Sequence, residues 1–163
     1  MKFLYDIDMT LLRNVRNEIE SIVKLIVECF TLKYFQFSGR ANRKEYLIFF
    51  LFDNIIYYIL NHLFHNIHSI HLLITITPYL ALSVRRLSDI NKTGWWVSAM
   101  IPVFLYTTFV DLTNVSETPP IAETIFFILT LPASGVISLW LIICMFFKKG
   151  TPGSNKYGEP PTD

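Results

Sequence analysis

Four arginines and one aspartate are the residues whose types and spacing could do chemistry at one place. Arg85 and Arg86 precede Asp89 by four and three residues, and Arg40 and Arg43 lie close together earlier in the chain. Guanidinium groups can hold a phosphate through paired, charge-assisted hydrogen bonds. The same spacing would let Asp89 pair with Arg85 or Arg86 on one helix. The sequence leaves two interpretations open, an anion site or an internal ion-pair network.

Asp53, followed by Asn54, is an ionisable residue inside a long apolar run. It lies eight residues after Glu45, which is about 12 Å along a helix axis and therefore near the middle of a membrane span. An ionisable residue at that depth is costly and indicates function by default. The alternatives are a hydrogen-bonded aspartate that joins helices and a proton or cation path in an oligomer. The expected partners are the polar side chains of other spans, Thr75, Thr77, Ser134 or Ser138.

The histidines form a run with three-residue spacing, at His62, His65, His68 and His71. Imidazoles bind Zn or Cu and titrate near neutral pH. A turn near His65–Asn66 would divide the run between two helices, and no carboxylate or thiol lies within it. Histidines alone are a weak metal motif, so we interpret them as interfacial polar residues and expect no metal and no cofactor.

The elements that must position these residues follow from the distribution of basic residues. All 14 Lys and Arg fall in three blocks, and none occurs in residues 45–84 or 93–147. Each gap has room for two spans of about 20 residues, and cytoplasmic loops accumulate basic residues. With 52% hydrophobic and 17% charged residues, an ordinary soluble domain is excluded, and no concentrated basic face indicates a nucleic-acid partner. The sequence predicts four spans with both termini in the cytoplasm of a bacterial inner membrane.

Local signals place the ends of these spans. Asn42 stands three residues before Glu45, which is the pattern of a capping box at a helix start. Trp95 and Trp96 suit the headgroup level of a bilayer, and Pro132 is a bend site in a long last span. The predicted spans cover about 42–64, 67–84, 95–110 and 121–147.

An amphipathic helix is predicted before the first span, over about residues 9–35. Its apolar residues recur at three- and four-residue steps, and Ser38–Gly39 ends it. Such a helix could lie in the inner membrane interface, pack on a partner helix, or cover the protein's own cytoplasmic face. The chain therefore divides into an amphipathic helix (1–36), a four-span membrane domain (37–149) and an irregular cytoplasmic tail (150–163).

The predicted topology brings the arginine segments, the tryptophan pair and the tail to the same cytoplasmic surface. We expect these segments to converge there, with the tail folded over the arginines. The candidate anion- or partner-binding residues are Arg40, Arg43, Arg85, Arg86, Asp89, Trp95, Trp96, Asn155 and Tyr157.

Three stretches carry a recognisable signature: 37–46 (FSGRANRKEY), 81–89 (ALSVRRLSD) leading to Gly94-Trp-Trp, and 153–160 (GSNKYGEP). In this order around the hydrophobic segments, they resemble the small bacterial inner-membrane proteins of the YhaH/YhaI type, a domain of unknown function. The resemblance implies a small multi-span inner-membrane protein and no established reaction. Leu47, Ser88 and Asn91 depart from the residues usual in that family, which carries Trp, His and a smaller residue or Gly there.

Three functions remain open. The sequence contains no nucleophile elbow, P-loop, zinc-ligand set or catalytic carboxylate pair, which disfavours an enzyme. The favoured hypothesis is a non-catalytic scaffold or binding protein that acts through its cytoplasmic face on a protein partner or on anionic phospholipid headgroups, with homo-oligomers possible. The alternatives are a small transporter or channel that uses Asp53, and a membrane enzyme acting on phosphorylated lipid.

Overall fold

A computed structural model describes residues 2–64, 68–102 and 121–161. Its elements are four α-helices and one 3₁₀ helix: α1 (Lys2–Phe30), α2 (Arg43–Leu63), α3 (His68–Asp89), the 3₁₀ helix η1 (Gly94–Met100) and α4 (Ile121–Phe147). The described residues contain no β-strand; the tail forms one isolated bridge between Asn155 and Gly158. The all-helical prediction is confirmed, and α4 has the bounds predicted for the last span.

Helix α2 begins where the capping pattern predicts. Asn42 has extended backbone angles, and its side-chain oxygen accepts a hydrogen bond of 2.7 Å from the amide of Glu45. The Glu45 carboxylate pairs with basic side chains of other segments. The N-cap therefore fixes the start of α2 and also places a carboxylate between neighbouring elements.

Helix α2 has the length and composition of a membrane span. It runs for 21 residues with a mean hydropathy of 1.3, and only 11% of its most apolar window is buried within the protein. It is the single helix of this kind in the described ranges, and a second apolar segment, Pro132–Phe147, is shorter. The four-span arrangement beyond α2 remains a prediction.

The amphipathic N-terminal helix is present, with different ends. It begins before residue 9 and stops at Phe30, five residues earlier than predicted. The amide of Lys33 donates a 2.8 Å hydrogen bond to the carbonyl of Glu28, five residues back, and this bond closes the helix end. Cys29 and Phe30 pack into the core, whereas Leu12, Val15 and Ile19 are exposed.

The predicted third span starts differently from the expected α-helix. Its first turns form η1, in which the Thr93 side chain accepts a long hydrogen bond from the Trp95 amide. A Cβ atom at Gly94 would lie 2.6 Å from a methyl group of Val84, so η1 approaches α3 closely. Residues 103–120, which contain the rest of this span and the predicted outer loop, lie outside the described residues.

The core lies at one end of the bundle, where the start of α2 meets the ends of α3 and α4. Tyr46, Phe49, Leu82, Leu141 and Met145 are fully buried there. Toward the other end, apolar side chains face outward. These exposed residues include Leu51, Ile55, Leu73, Ile74, Leu129 and Leu139.

Candidate functional site

Asp89, the last residue of α3, lies between two arginines from different parts of the chain. Its Oδ1 accepts a hydrogen bond from Arg40 Nε at 2.9 Å and lies 2.8 Å from Arg40 Nη2 in the same ion pair, while its Oδ2 accepts a hydrogen bond from Arg86 Nη1. The three side chains are almost fully buried. We call Arg40, Arg86 and Asp89 the arginine–aspartate cluster. A buried charge is tolerated when it is paired and hydrogen-bonded, and each of these charges is.

Arg86 links α3 to the end of α4. Its Nε donates to the carbonyl of Met145 at 2.9 Å, and its Nη2 donates to the carbonyl of Lys148. Carbonyls at a helix C-terminus lack N–H donors within the helix, and a cation there is favourable. Arg86 therefore caps α4 with a side chain that is itself fixed by Asp89.

Arg40 fastens the C-terminal tail in the same way. Its guanidinium donates to the carbonyls of Thr151 and Gly153, each at 2.6 Å. The amide and hydroxyl of Thr151 donate in turn to the carbonyl of Asp89, at 2.9 and 3.0 Å. The tail is thus bonded to both residues of one ion pair, to the side chain of Arg40 and to the backbone carbonyl of Asp89.

Asn155 and Tyr157 extend this contact. The Asn155 amide nitrogen donates to the carbonyl of Ser88 at 3.0 Å and to the Thr151 hydroxyl at 2.8 Å. The backbone amide of Tyr157 donates to Asn155 Oδ1 at 2.8 Å. Within the predicted set, Arg40, Arg86, Asp89 and Asn155 therefore come together, and Tyr157 joins them through its backbone.

Arg85 has a different partner from the one its spacing to Asp89 suggests. Its Nη1 donates to Glu45 Oε1 at 2.9 Å, across the α2–α3 interface. Lys33 lies 3.4 Å from the same oxygen and 2.8 Å from Glu28. The hydrogen bond from Lys33 lowers the pKa of Glu28. A second, separate ion-pair chain therefore connects the segment after α1 to α2 and α3.

The tryptophans do not join the cluster. Trp95 is 82% exposed, and the ring of Trp96 packs edge-on against Trp140 with centroids 5.7 Å apart. Arg43 is exposed and makes one long contact of 3.5 Å to the carbonyl of Phe147. The predicted convergence therefore excludes both indoles, because η1 directs them toward solvent and α4.

An open cleft lies beside the cluster. Its volume is about 540 Å³, with Arg43, Lys44 and Asn42 from the start of α2 on one side and the tail on the other. Leu47 and Phe146 supply apolar wall, and Arg40 and Asp89 form part of the lining. A cleft with cations at its edge and an apolar wall can hold an anionic group that carries a hydrocarbon chain.

Asp53 has a partner that the sequence analysis did not anticipate. Its Oδ1 lies 3.2 Å from His71 Nε2 on α3, and both side chains are largely buried. Asn54 is exposed and bonds its own helix, donating to the carbonyl of Phe50 at 2.8 Å. Thr75, one of the hydroxyl partners expected from the sequence, also hydrogen-bonds to Asp53. The imidazole of His71 is therefore a partner in addition to the expected hydroxyl.

The other histidines do not form a site with His71. His62 is exposed at the end of α2. His65 lies outside the described residues, and His68 is the first residue of α3, with its side chain outside them. No group of three or more His, Cys, Asp or Glu side chains suited to a metal occurs in the part of the chain that the structure describes.

Helix register explains why His71 was missed. Equal helix lengths on both sides of a turn at His65–Asn66 would place Asp53 opposite Pro78, about two turns from His71. The tail carbonyls bound by Arg40 carry no sequence signal, because every residue has one. The Asn42–Glu45 spacing predicts a capping role for Glu45, and nothing local in the sequence indicates its ion pair with Arg85.

These features define a small helical protein with a helix of membrane-spanning length. At one end of its bundle, buried arginines bond the C-terminal tail and the end of α4 to the end of α3. A family model described as "Protein of unknown function (DUF805)" matches residues 34–159. The chain belongs to the DUF805 family, as the YhaH/YhaI-type motifs predicted.

Two relatives come from Escherichia coli strain K12. The chain is 33% identical over 136 residues to "Inner membrane protein YhaI", with 78% of this chain and 87% of YhaI covered. It is 26% identical over 140 residues to "Inner membrane protein YhaH", with 78% of this chain and 88% of YhaH covered. No solved structure matches the chain significantly.

Proposed function

We propose that this protein is a non-catalytic bacterial inner-membrane protein that binds the phosphate of an anionic lipid headgroup on its cytoplasmic face. The observation that carries the proposal is the cleft of about 540 Å³ in which exposed Arg43 and Lys44 stand beside apolar Leu47 and Phe146. Phosphate attracts the cations, and the first methylenes of an acyl chain suit the wall.

Location in the inner membrane is supported by the relatives' names and by the outward-facing apolar surface of α2. The three blocks of Lys and Arg support four spans with both termini in the cytoplasm. In that topology the start of α2 and the tail lie at the inner headgroup level, and so does the cleft.

The buried arginines have a structural role in this proposal. Arg40 and Arg86 are fully used in bonds to Asp89 and to carbonyls, and Arg85 is bonded to Glu45. A ligand would have to break these bonds to reach Arg40 or Arg86. Nε and Nη2 of Arg85 make no hydrogen bond within the described residues, but both atoms are buried. Among the described residues, Arg43 makes only a long contact to a carbonyl. The Lys44–Glu18 pair at 3.2 Å has both side chains more than half exposed, so its energy is small.

The test is native mass spectrometry of delipidated protein titrated with phosphatidylglycerol or phosphatidylcholine. The wild type should retain phosphatidylglycerol preferentially. The double variant Arg43→Gln, Lys44→Gln should lose about 1 kcal/mol of binding free energy for each removed cation. Lys156→Gln, which removes one charge from the tail outside the cleft, should bind as the wild type does.

A competition experiment with a water-soluble phosphate ester distinguishes binding of the whole lipid from binding of a phosphate group alone. Glycerol 3-phosphate should compete only weakly, because it lacks the chain that would contact Leu47 and Phe146. Strong competition would point to a soluble phosphate metabolite as the ligand. Equal retention of both lipids by the wild type, or an unchanged preference in the double variant, would overturn the proposal.

A further inference from the structure

Another cavity lies between α2 and α3, away from the cleft beside the arginine–aspartate cluster. Its volume is about 210 Å³, and its lining comes from one face of each helix. From α2 come Phe50, Asp53, Asn54 and Tyr57, and from α3 come His71, Leu72, Thr75, Ile76 and Tyr79.

Two buried polar atoms face each other in this cavity. Asp53 Oδ1 and His71 Nε2 are 3.2 Å apart, and neither makes a hydrogen bond of good geometry within the described residues. A neutral imidazole carries one N–H, so Nε2 can donate to an ionised carboxylate in one of its two tautomers. That arrangement leaves the pair with one negative charge, whereas one further proton on the pair makes it neutral overall.

The surroundings favour a net charge of zero. The other titratable side chains in the cavity are the phenols of Tyr57 on α2 and Tyr79 on α3, and Tyr79 in turn contacts the Tyr46 hydroxyl at 3.2 Å. No Lys or Arg lies between Glu45 and Arg85. An unpaired carboxylate in apolar surroundings is unfavourable, so a proton released from the pair must be replaced by another cation.

We propose that this cavity binds a small organic ammonium ion in exchange for the proton held by Asp53 and His71. The ammonium N–H groups would donate to the carboxylate and the imidazole, and the released proton would leave to the solution, so charge is conserved. The Thr75 hydroxyl is an additional acceptor in the lining.

The walls favour ammonium over a metal ion. Hard metal ions require about six oxygen ligands around one point. The oxygen-bearing side chains of the lining are fewer than six, and only one of them is a carboxylate. Three aromatic rings, those of Phe50, Tyr57 and Tyr79, line the cavity, and aromatic faces attract organic cations. The ring of Tyr57 lies 5.6 Å from that of His71, so an aromatic face stands beside the polar pair.

The experiment is isothermal titration calorimetry of the protein in phosphatidylcholine nanodiscs with ethylammonium chloride, repeated in buffers of different ionisation enthalpy. We expect saturable binding with release of about one proton per ion, weaker at about pH 6 than at about pH 8 because protons compete. Ethanol, which is neutral and of similar size, should give no saturable signal.

Variants assign the site. Asp53→Asn keeps the side-chain shape and should weaken ethylammonium binding at least tenfold, and His71→Gln should reduce the number of protons released. His62→Gln, a matched histidine change at the exposed end of α2, should bind as the wild type does. Absence of saturable binding by the wild type, or unchanged binding in folded Asp53→Asn, would overturn the proposal. Neutral lipid keeps this result independent of the phosphate cleft.

Discussion

The backbone of Gly150 passes directly against the carboxylate of Asp89. A Cβ atom at residue 150 would lie 2.2 Å from Asp89 Oδ2 and 2.8 Å from Oδ1. The carboxylate has no room to retreat, because Arg40 and Arg86 hold it from the other directions. Residue 150 must therefore be glycine, because any side chain there would collide with the Asp89 carboxylate.

Gly150→Ala is expected to destabilise the protein by about 1–3 kcal/mol, the usual cost of forcing an extra methyl into a packed site. The measurement is the midpoint of thermal unfolding in detergent. Gly135→Ala is the matched control, since a Cβ atom there meets nothing within 4 Å among the residues that the structure describes, and it should leave the midpoint unchanged or raise it. Equal midpoints for Gly150→Ala and the wild type would contradict the close packing.

Arg40→Lys is expected to release the tail while keeping the charge. Lysine cannot reproduce the fork that reaches Asp89 and the carbonyls of Thr151 and Gly153 together. Loss of charge-assisted bonds should cost about 1.5–3 kcal/mol and make the tail sensitive to trypsin at Lys156. Arg43→Lys, an exposed change of the same kind, should digest at the wild-type rate. Slow tail cleavage in Arg40→Lys would show that the guanidinium is dispensable.

Local signals in the sequence predicted the start of α2 and both ends of α4, whereas α1 ends five residues earlier and α3 five residues later than predicted. Asn42 caps α2 because its side chain lies next to the amides it must satisfy. The last helix has its predicted bounds because its long segment from Ile125 to Phe147 contains no charged residue. Asn91 also fits a local rule: its φ of +59° is a conformation that favours Gly or Asn, which accounts for its place in a turn motif.

For residues far apart in sequence, the sequence predicted that arginines would pair with carboxylates but not which residues would pair. The pairing of Asp89 with Arg86 follows from a three-residue spacing, but Arg40 is 49 residues away, and nothing local selects it over Arg43. Arg85 was equally compatible with Asp89 by spacing, and the register of α2 against α3 directs it to Glu45. Tertiary register, which the sequence does not encode locally, decided these contacts and the Asp53–His71 pair.

Cys29 is expected to resist alkylation in the folded protein. It is 1% exposed, and burial, with a smaller contribution from the charge of Glu45, raises the pKa of its thiol from 9.0 to about 11. At pH 8 its thiolate fraction is then about 100-fold lower than that of an ordinary cysteine. In a Cys144→Ser background, maleimide labelling should be slow in detergent and rapid after denaturation. Fast labelling of the folded protein would contradict the burial of Cys29.

The raised pKa of the Cys29 thiol also makes the stability of the protein depend on pH. The folded pKa lies above the unfolded value, so folding favours the neutral thiol. Its contribution to the free energy of unfolding is complete below about pH 9 and is lost as the pH rises toward about 11. Cys29→Ser should reduce this alkaline loss, and unfolding midpoints measured against pH would show it.

Reporter fusions test the proposed topology at every loop. Fusions after Asn66 and Asn114 should report the outside, and fusions after Lys92 and Asp163 the inside, because basic residues are confined to the segments placed in the cytoplasm. The position after Lys92 is decisive. The tail bonds to residues 88 and 89 at the end of α3, so the loop after α3 and the C-terminus must lie on the same side of the membrane. An outside signal after Lys92 together with an inside signal after Asp163 would contradict both the four-span topology and the Arg40-bound tail.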